Sequence, residues 1–303
     1  MDLTVGPNFF FWEAETIRSF YRDLAATPVA RVALGELVCS KRLPFWRDEI
    51  PAAIEVLQAA GKEVALTTLA LLTLRRERKI TADLMDLDLP VEVNDLSALV
   101  QIPEGRHFWV GPLVNVYNEG TLRWLIRRGA RRICLPPELT LESVAVLAQV
   151  GRDEGVPVEV WGHGRLPLAI SARCYHARLH DRAKDSCQFV CGKDPDGRDV
   201  DTMDGQQFLT VNGVQTLSQS TASMALKIDD LHSAGVAALR LSPQSRNFDD
   251  ICIAYASRLG GETSGAALAA RLRPLVPGGN LSDGFLSGPA GAAWSGERMG
   301  KPN

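Results

Sequence analysis

Hydrophobic positions along the chain follow two alternating periods. Short runs rich in aliphatic and β-branched residues read as strands: LTVG (3–6), VARVALGEL (29–37), EVALTTL (63–69), VEVND (91–95), FWVGPLVN (108–115), RICLP (132–136), VPVEVWGHG (156–164) and AALRLSP (237–243). Stretches with helical spacing lie between them. Residues 13–26 place Ile17, Phe20, Tyr21 and Leu24 on one face, and residues 119–130 gather Leu122, Leu125 and Ile126 before a stop near Gly129. Residues 140–155 open on Thr140 as an N-cap and close at a glycine. Strands that alternate with helices predict a parallel sheet, because parallel neighbours need crossover connections. Eight such units predict an α/β fold, a TIM-like barrel that closes without edges; a doubly wound open sheet is the alternative.

Two segments break the rhythm. Residues 172–222 predict an insertion after the seventh strand, with the turn-rich KDPDGRDVDTMDG (193–205) in its middle. Within it, 207–219 reads as a strand, a turn at Asn212–Gly213 and a second strand. Residues 276–303, rich in Gly, Ser and Pro, predict a poorly ordered tail behind a single domain at 1–275.

Composition narrows the function classes. The chain has 303 residues, 46% hydrophobic and 23% charged, with a net charge of −3. A mainly electrostatic nucleic-acid binder would be basic, so that class is disfavoured. The start carries no basic n-region and no small-residue cleavage site. The longest smooth apolar run, 64–74, falls short of the about 20 residues a spanning helix needs. The expectation is a cytoplasmic protein with no membrane span. Thiols stay reduced in that compartment, so clustered cysteines point to metal or catalysis rather than disulfides.

Three of the six cysteines, Cys174, Cys187 and Cys191, fall in one polar stretch with C-x12-C-x3-C spacing. A tetrahedral metal centre wants a fourth ligand. Cys134 and Cys252 have apolar neighbours and read as core thiols. Cys39 follows the second predicted strand and Cys174 the seventh. In a parallel barrel both strand ends emerge on the same face, so the two can meet in space. Four thiolates suit zinc or an iron–sulfur cluster, and the presence of only one close pair, 187/191, leans towards the cluster. Unrelated reduced thiols are the bland alternative. Glu36, Asn94, Asn115 and His163 end strands and could line a cavity or simply satisfy loop backbone. His176 and His180 stand four apart among charges and read as a solvated pair rather than a metal pair. RRERK (75–79) and RRGARR (127–132) read as solvated helix faces, with RNA or partner contact as the functional alternative.

The segments GELVCSKR, GPLVNVYNEGTL, LPLAISARCYHARLHDRAKDSCQFVC and VNGVQTLS followed by LRLSPQ resemble the peptidase U32 family, and within it the branch that serves ubiquinone biosynthesis without dioxygen. The resemblance runs over about residues 3–258, and the cysteine spacing is its specific part. It implies a TIM-like barrel in which Cys39, Cys174, Cys187 and Cys191 bind a [4Fe-4S] cluster. It also implies a heterodimer with a UbiU-like U32 paralogue and a UbiT-like lipid-binding accessory protein. The implied activity is hydroxylation of a ubiquinone precursor with prephenate as oxygen donor; RNA hydroxylation by a U32-like factor is the alternative. Proteolysis has little support, because the chain has no G-x-S-x-G, no H-E-x-x-H and no convincing Cys–His–Asn pattern.

Overall fold

A computed structural model describes residues 1–288 and 290–297. Its strands are β1 (Asp2–Val5), β2 (Arg31–Leu34), β3 (Glu63–Thr67), β4 (Val91–Val93), β5 (Phe108–Val110), β6 (Ala130–Cys134), β7 (Val158–Ile170), β8 (Arg198–Asp201), β9 (Gln207–Asn212), β10 (Gln215–Ser223), β11 (Ala238–Leu241) and β12 (Leu281–Ser282). Strands β1 to β7 pair in order, all parallel, and β11 pairs with both β1 and β7. That closes an eight-stranded parallel barrel ringed by helices, as the eight predicted runs require.

The helices bury the faces their spacing marks. Ala14–Ala25 buries Ile17, Tyr21 and Leu24, and Glu119–Arg127 buries Leu122 and Leu125. Leu141–Asp153 starts at Thr140, whose hydroxyl accepts the Ser143 N–H. One crossover is reduced: β4 reaches β5 through only a 3₁₀ turn, Leu96–Gln101. No described helix is long and apolar enough to cross a membrane.

Strand β7 runs far beyond the barrel rim. Its outer half pairs antiparallel with β10, which pairs with β9 and through it with β8. The insertion is therefore a small sheet rising from the barrel mouth. Its hairpin turn falls one residue later than predicted. Asn212 pairs with Gln215, so Gly213 and Val214 form the loop, with Gly213 at φ +62°. The reason is that Asn212 is a buried bonding partner rather than a turn residue.

Residues 276–288 and 290–297 are also tied down further than a Gly-rich composition suggests. Strand β12 lies parallel to β10, Leu281 and Leu286 are buried, and the Leu286 carbonyl accepts the Leu141 N–H. Two buried leucines and a strand pairing outweigh the local entropy that the glycines carry. Residues 298–303 of the predicted tail lie outside the described residues.

Candidate metal centre

The four singled-out cysteines occupy four turns. Cys39 precedes the 3₁₀ turn Ser40–Arg42, just past β2. Cys174 caps the short helix Tyr175–Arg178, its Sγ accepting the Ala177 N–H at 3.4 Å. Cys187 ends the 3₁₀ turn Lys184–Ser186, and Cys191 lies in the 3₁₀ turn Val190–Lys193. Between these two, Gln188 and Phe189 both adopt the left-handed region, at φ 48° and 51°. Two successive non-glycine residues there cost about 1–3 kcal/mol each, a strain that functional loops tolerate. The turn of Cys39 is bound to that of Cys187, because Lys41 Nζ donates to the carbonyls of Lys184 at 2.8 Å and Asp185 at 3.0 Å.

The Cys174 thiol feels the other two thiols of the insertion. Burial pushes the Cys174 thiol above its usual range, with Cys191 and Cys187 adding to the rise while the Ala177 N–H and Arg42 oppose it. The Cys39 thiol is also pushed up, first by burial and then by Glu36, with Arg42 opposing. Arg42 is thus the positive charge common to Cys39 and Cys174. Glu36, at the mouth of β2, is fully buried; its Oε1 accepts the N–H groups of Val38 at 2.7 Å and Cys39 at 2.8 Å. It shapes the cysteine turn and also lines an apolar cavity beside that turn, and burial raises its pKa.

Residues 17–257, well over half of the chain, match the family described as Peptidase family U32. The chain belongs to peptidase family U32. Solved structures similar to this U32 chain include a putative fructose-1,6-bisphosphate aldolase from Coccidioides immitis, at 11% identity and a TM-score of 0.42 over 89% of this chain and 87% of that one. A truncated 3-deoxy-D-arabino-heptulosonate 7-phosphate synthase from Thermotoga maritima matches at 9% identity and 0.35, over 86% and 87%. An enolase, a putative galactarate dehydratase, from Agrobacterium radiobacter matches at 15% and 0.35; this chain covers 44% of its length and 53% of its own.

The remaining candidates of the U32 chain separate cleanly. Cys134 and Cys252 are fully buried and burial drives both thiols far up, as core cysteines require. Asn94 is buried, donating to Thr67 Oγ1 at 3.0 Å and Glu92 Oε1 at 3.1 Å. Asn115 is exposed and lines a cavity of 190 Å³ at the barrel mouth with Leu113, Glu138 and Leu168. His163 is fully buried against Tyr255, and burial holds its pKa down to about 3.

His176 corrects the expectation of a solvated pair. Its ring is fully buried and stacks on His180, with centroids 5.8 Å apart, and its Nε2 meets Asp194 Oδ2 at 2.9 Å. The insertion folds residue 194 back over the short cysteine helix, which composition could not reveal. These three groups have ligand atoms all within 4.8 Å of one another, but Arg198 also lies 3.8 Å from Asp194. The described hydrogen bonds pair no cysteine thiol with a histidine, so the peptidase label finds no Cys–His dyad here.

Sequence reasoning missed the barrel interior. Arg240 Nη2 donates to Glu159 Oε2 at 2.8 Å and forms an ion pair with Glu92 Oε2 at 2.7 Å, without hydrogen-bond alignment. Thr4 and Arg132 bond Glu159 Oε1 at 2.7 and 3.1 Å. Arg132, read as part of a solvated basic cluster, thus points under the barrel. The available signal was a lone charge centred in each apolar run: Glu92 in VEV, Glu159 in VEV and Arg240 in LRL.

Proposed function

We propose that this U32 chain is a UbiV-like [4Fe-4S] subunit of a system for dioxygen-independent hydroxylation in ubiquinone biosynthesis. Its partner would be a UbiU-like paralogue, with a UbiT-like protein presenting the lipid precursor and prephenate supplying the oxygen. The observation that carries the reading is that turns from β2 and from the insertion bring Cys39, Cys174 and Cys191 to one buried guanidinium, with Cys187 beside Cys174.

The donor set fits the group. Four thiols without carboxylate or imidazole among them suit soft iron–sulfide chemistry. Zinc bound by four thiolates at 2.3 Å would need sulfurs roughly 3.8 Å apart. Among the described residues, no three of these thiols have ligand atoms all within 4.8 Å of one another. When bound, the cluster supplies one-electron chemistry. The chain's own residues position it: Glu36 fixes the Cys39 turn, the Ala177 N–H holds the Cys174 sulfur, and Lys41 locks the Cys187 turn. An apolar cavity of 270 Å³ beside Glu36, lined by Leu34, Leu43, Ile50, Leu66 and Leu84, offers room for an apolar ligand near the same turn.

The test is iron and acid-labile sulfide content of protein purified without air. About four of each per chain are expected. Alanine at any of the four cysteines should strip or destabilise the cluster, whereas Cys134→Ala and Cys252→Ala should retain it. Zinc in place of iron, or cluster loss in Cys134→Ala but not Cys39→Ala, overturns the site. Deletion of the gene should abolish ubiquinone only in cells grown without dioxygen; unchanged ubiquinone there overturns the pathway and favours RNA as substrate.

A further inference from the structure

Arg42 is a buried cation with only one carboxylate, at the limit of an ion pair, among its described partners. It follows Cys39 by three residues, its N–H bonds the Cys39 carbonyl at 2.9 Å, and its side chain is 1% exposed. Nη1 donates to the Phe9 carbonyl at 2.9 Å and Nη2 to Asn212 Oδ1 at 3.0 Å, both neutral acceptors. Nε has no partner. The nearest carboxylate, Glu36, stands 4.0 Å away and spends its Oε1 on backbone N–H groups. A charge this deep is expensive, and one long ion pair with Glu36 at 4.0 Å offsets it only in part, which leaves room for a further anion.

The geometry points to where. The guanidinium lies over the Phe11 ring, and Phe11 packs on Gly192, the neighbour of Cys191: a Cβ at Gly192 would meet Phe11 Cδ1 at 3.2 Å. On the other side it touches Gly213, whose carbonyl accepts the His176 N–H two residues past Cys174. A Cβ at Gly213 would stand 2.7 Å from Nη2, so the glycine leaves the space that Arg42 fills. The side chain is therefore wedged among the turns of Cys39, Cys174 and Cys191.

We propose that Arg42 is the resident counter-charge of the four-thiolate centre and sets how readily the group bound there accepts an electron. This rests on the reading that the four cysteines hold an iron–sulfur cluster. Four thiolates around a cluster core leave net negative charge, and net charge and burial are among the levers on a cluster's potential. The other cations at the site are weaker candidates, since Lys41 and Lys184 commit Nζ to backbone carbonyls near the surface. Burial alone would pull the Arg42 pKa down; the charges of Glu36, Cys191 and Cys39 more than offset this. Arg42 is a positioning residue, acting through the field it places on the thiolates.

The test compares wild type, Arg42→Met, Arg42→Lys and Asn212→Asp, all purified without air. Asn212→Asp keeps the guanidinium but neutralises it. Dithionite donates one electron per cluster through redox mediators, and electron paramagnetic resonance follows the reduced fraction against potential. Arg42→Met and Asn212→Asp should each make reduction at least tenfold less favourable, a shift of 59 mV to more negative potential for one electron. Arg42→Lys, which keeps the charge, should shift less. An unchanged potential in an iron-loaded Arg42→Met protein overturns the proposal. If that variant loses iron, Asn212→Asp decides in the same way. Loss of iron from all three variants makes Arg42 a structural tie and overturns the redox role. Iron-free wild-type protein overturns the cluster reading itself, a result distinct from every outcome above.

Discussion

Acidification should destabilise this protein through the buried ring of His163. The ring is fully buried; its Nδ1 faces the Tyr255 hydroxyl at 3.4 Å and Nε2 has no partner among the described residues. Burial disfavours the charged form and lowers the pKa from 6.5 to about 3. Above pH 6.5 the ring is neutral in both states, so it adds no pH dependence. Below 6.5 the unfolded chain takes up a proton that the folded chain refuses until near pH 3, so stability falls as pH falls. The slope is about 1.4 kcal/mol per unit, and at pH 4 the loss reaches about 3.4 kcal/mol. Other groups add acid sensitivity of their own, so the measurement is a difference. Urea unfolding followed by circular dichroism at pH 7 and pH 4, on wild type and His163→Gln, isolates it. Wild type should lose about 3 kcal/mol more than the variant over that interval. Equal losses, or an imidazole resonance titrating near 6.5 in the folded protein, would refute the reasoning.

Arg240→Met should cost about 3–5 kcal/mol, because it strands Glu92 inside the barrel and leaves Glu159 to Arg132 and Thr4. An unfolding free energy from urea titration within about 1 kcal/mol of wild type would show that the carboxylates find protons or water instead. Gly213→Ala meets two penalties, left-handed backbone worth roughly 1–2 kcal/mol and a Cβ 2.7 Å from the Arg42 guanidinium. Gly155→Ala shares the backbone penalty at φ +68° with nothing within 4 Å, so thermal melts of the two should differ. Equal losses would mean that Arg42 gives way freely.

The barrel was legible because each strand is an apolar run bounded by turn residues, and eight such runs in alternation with helices leave few topologies. Cys134 and Cys252 were legible as core from their neighbours alone. Interior charge was not. Arg132 sits in RRGARR, where composition says surface, yet the strand period turns it towards Glu159. His176 was misjudged for the same reason. Its neighbours in sequence are charged, but beside His180 its neighbour in space is Asp194, brought there by a fold-back no local pattern encodes.

The position of the cysteine nest follows from an aromatic run that sequence patterning left unexplained. Around the barrel, β7 and β2 are not neighbours; β11 and β1 stand between them. A loop leaving β7 must therefore cross the mouth of β1 before its cysteines can approach Cys39. The chain leaving β1 is PNFFFW (7–12), and it carries the crossing. Phe9 stacks on Trp161 of β7, its carbonyl holding both Arg42 and Asn212. Phe11 packs with Phe45 after Cys39 and with Phe189 between Cys187 and Cys191. Trp12 Nε1 donates to the Pro195 carbonyl at 2.7 Å, just past Cys191. Aromatic area buried this way is worth several kcal/mol of ordering for a loop otherwise rich in charge. Strand order alone brings the cysteines to one face of the barrel; Phe9, Phe11 and Trp12 after β1 are what draw their turns together on it.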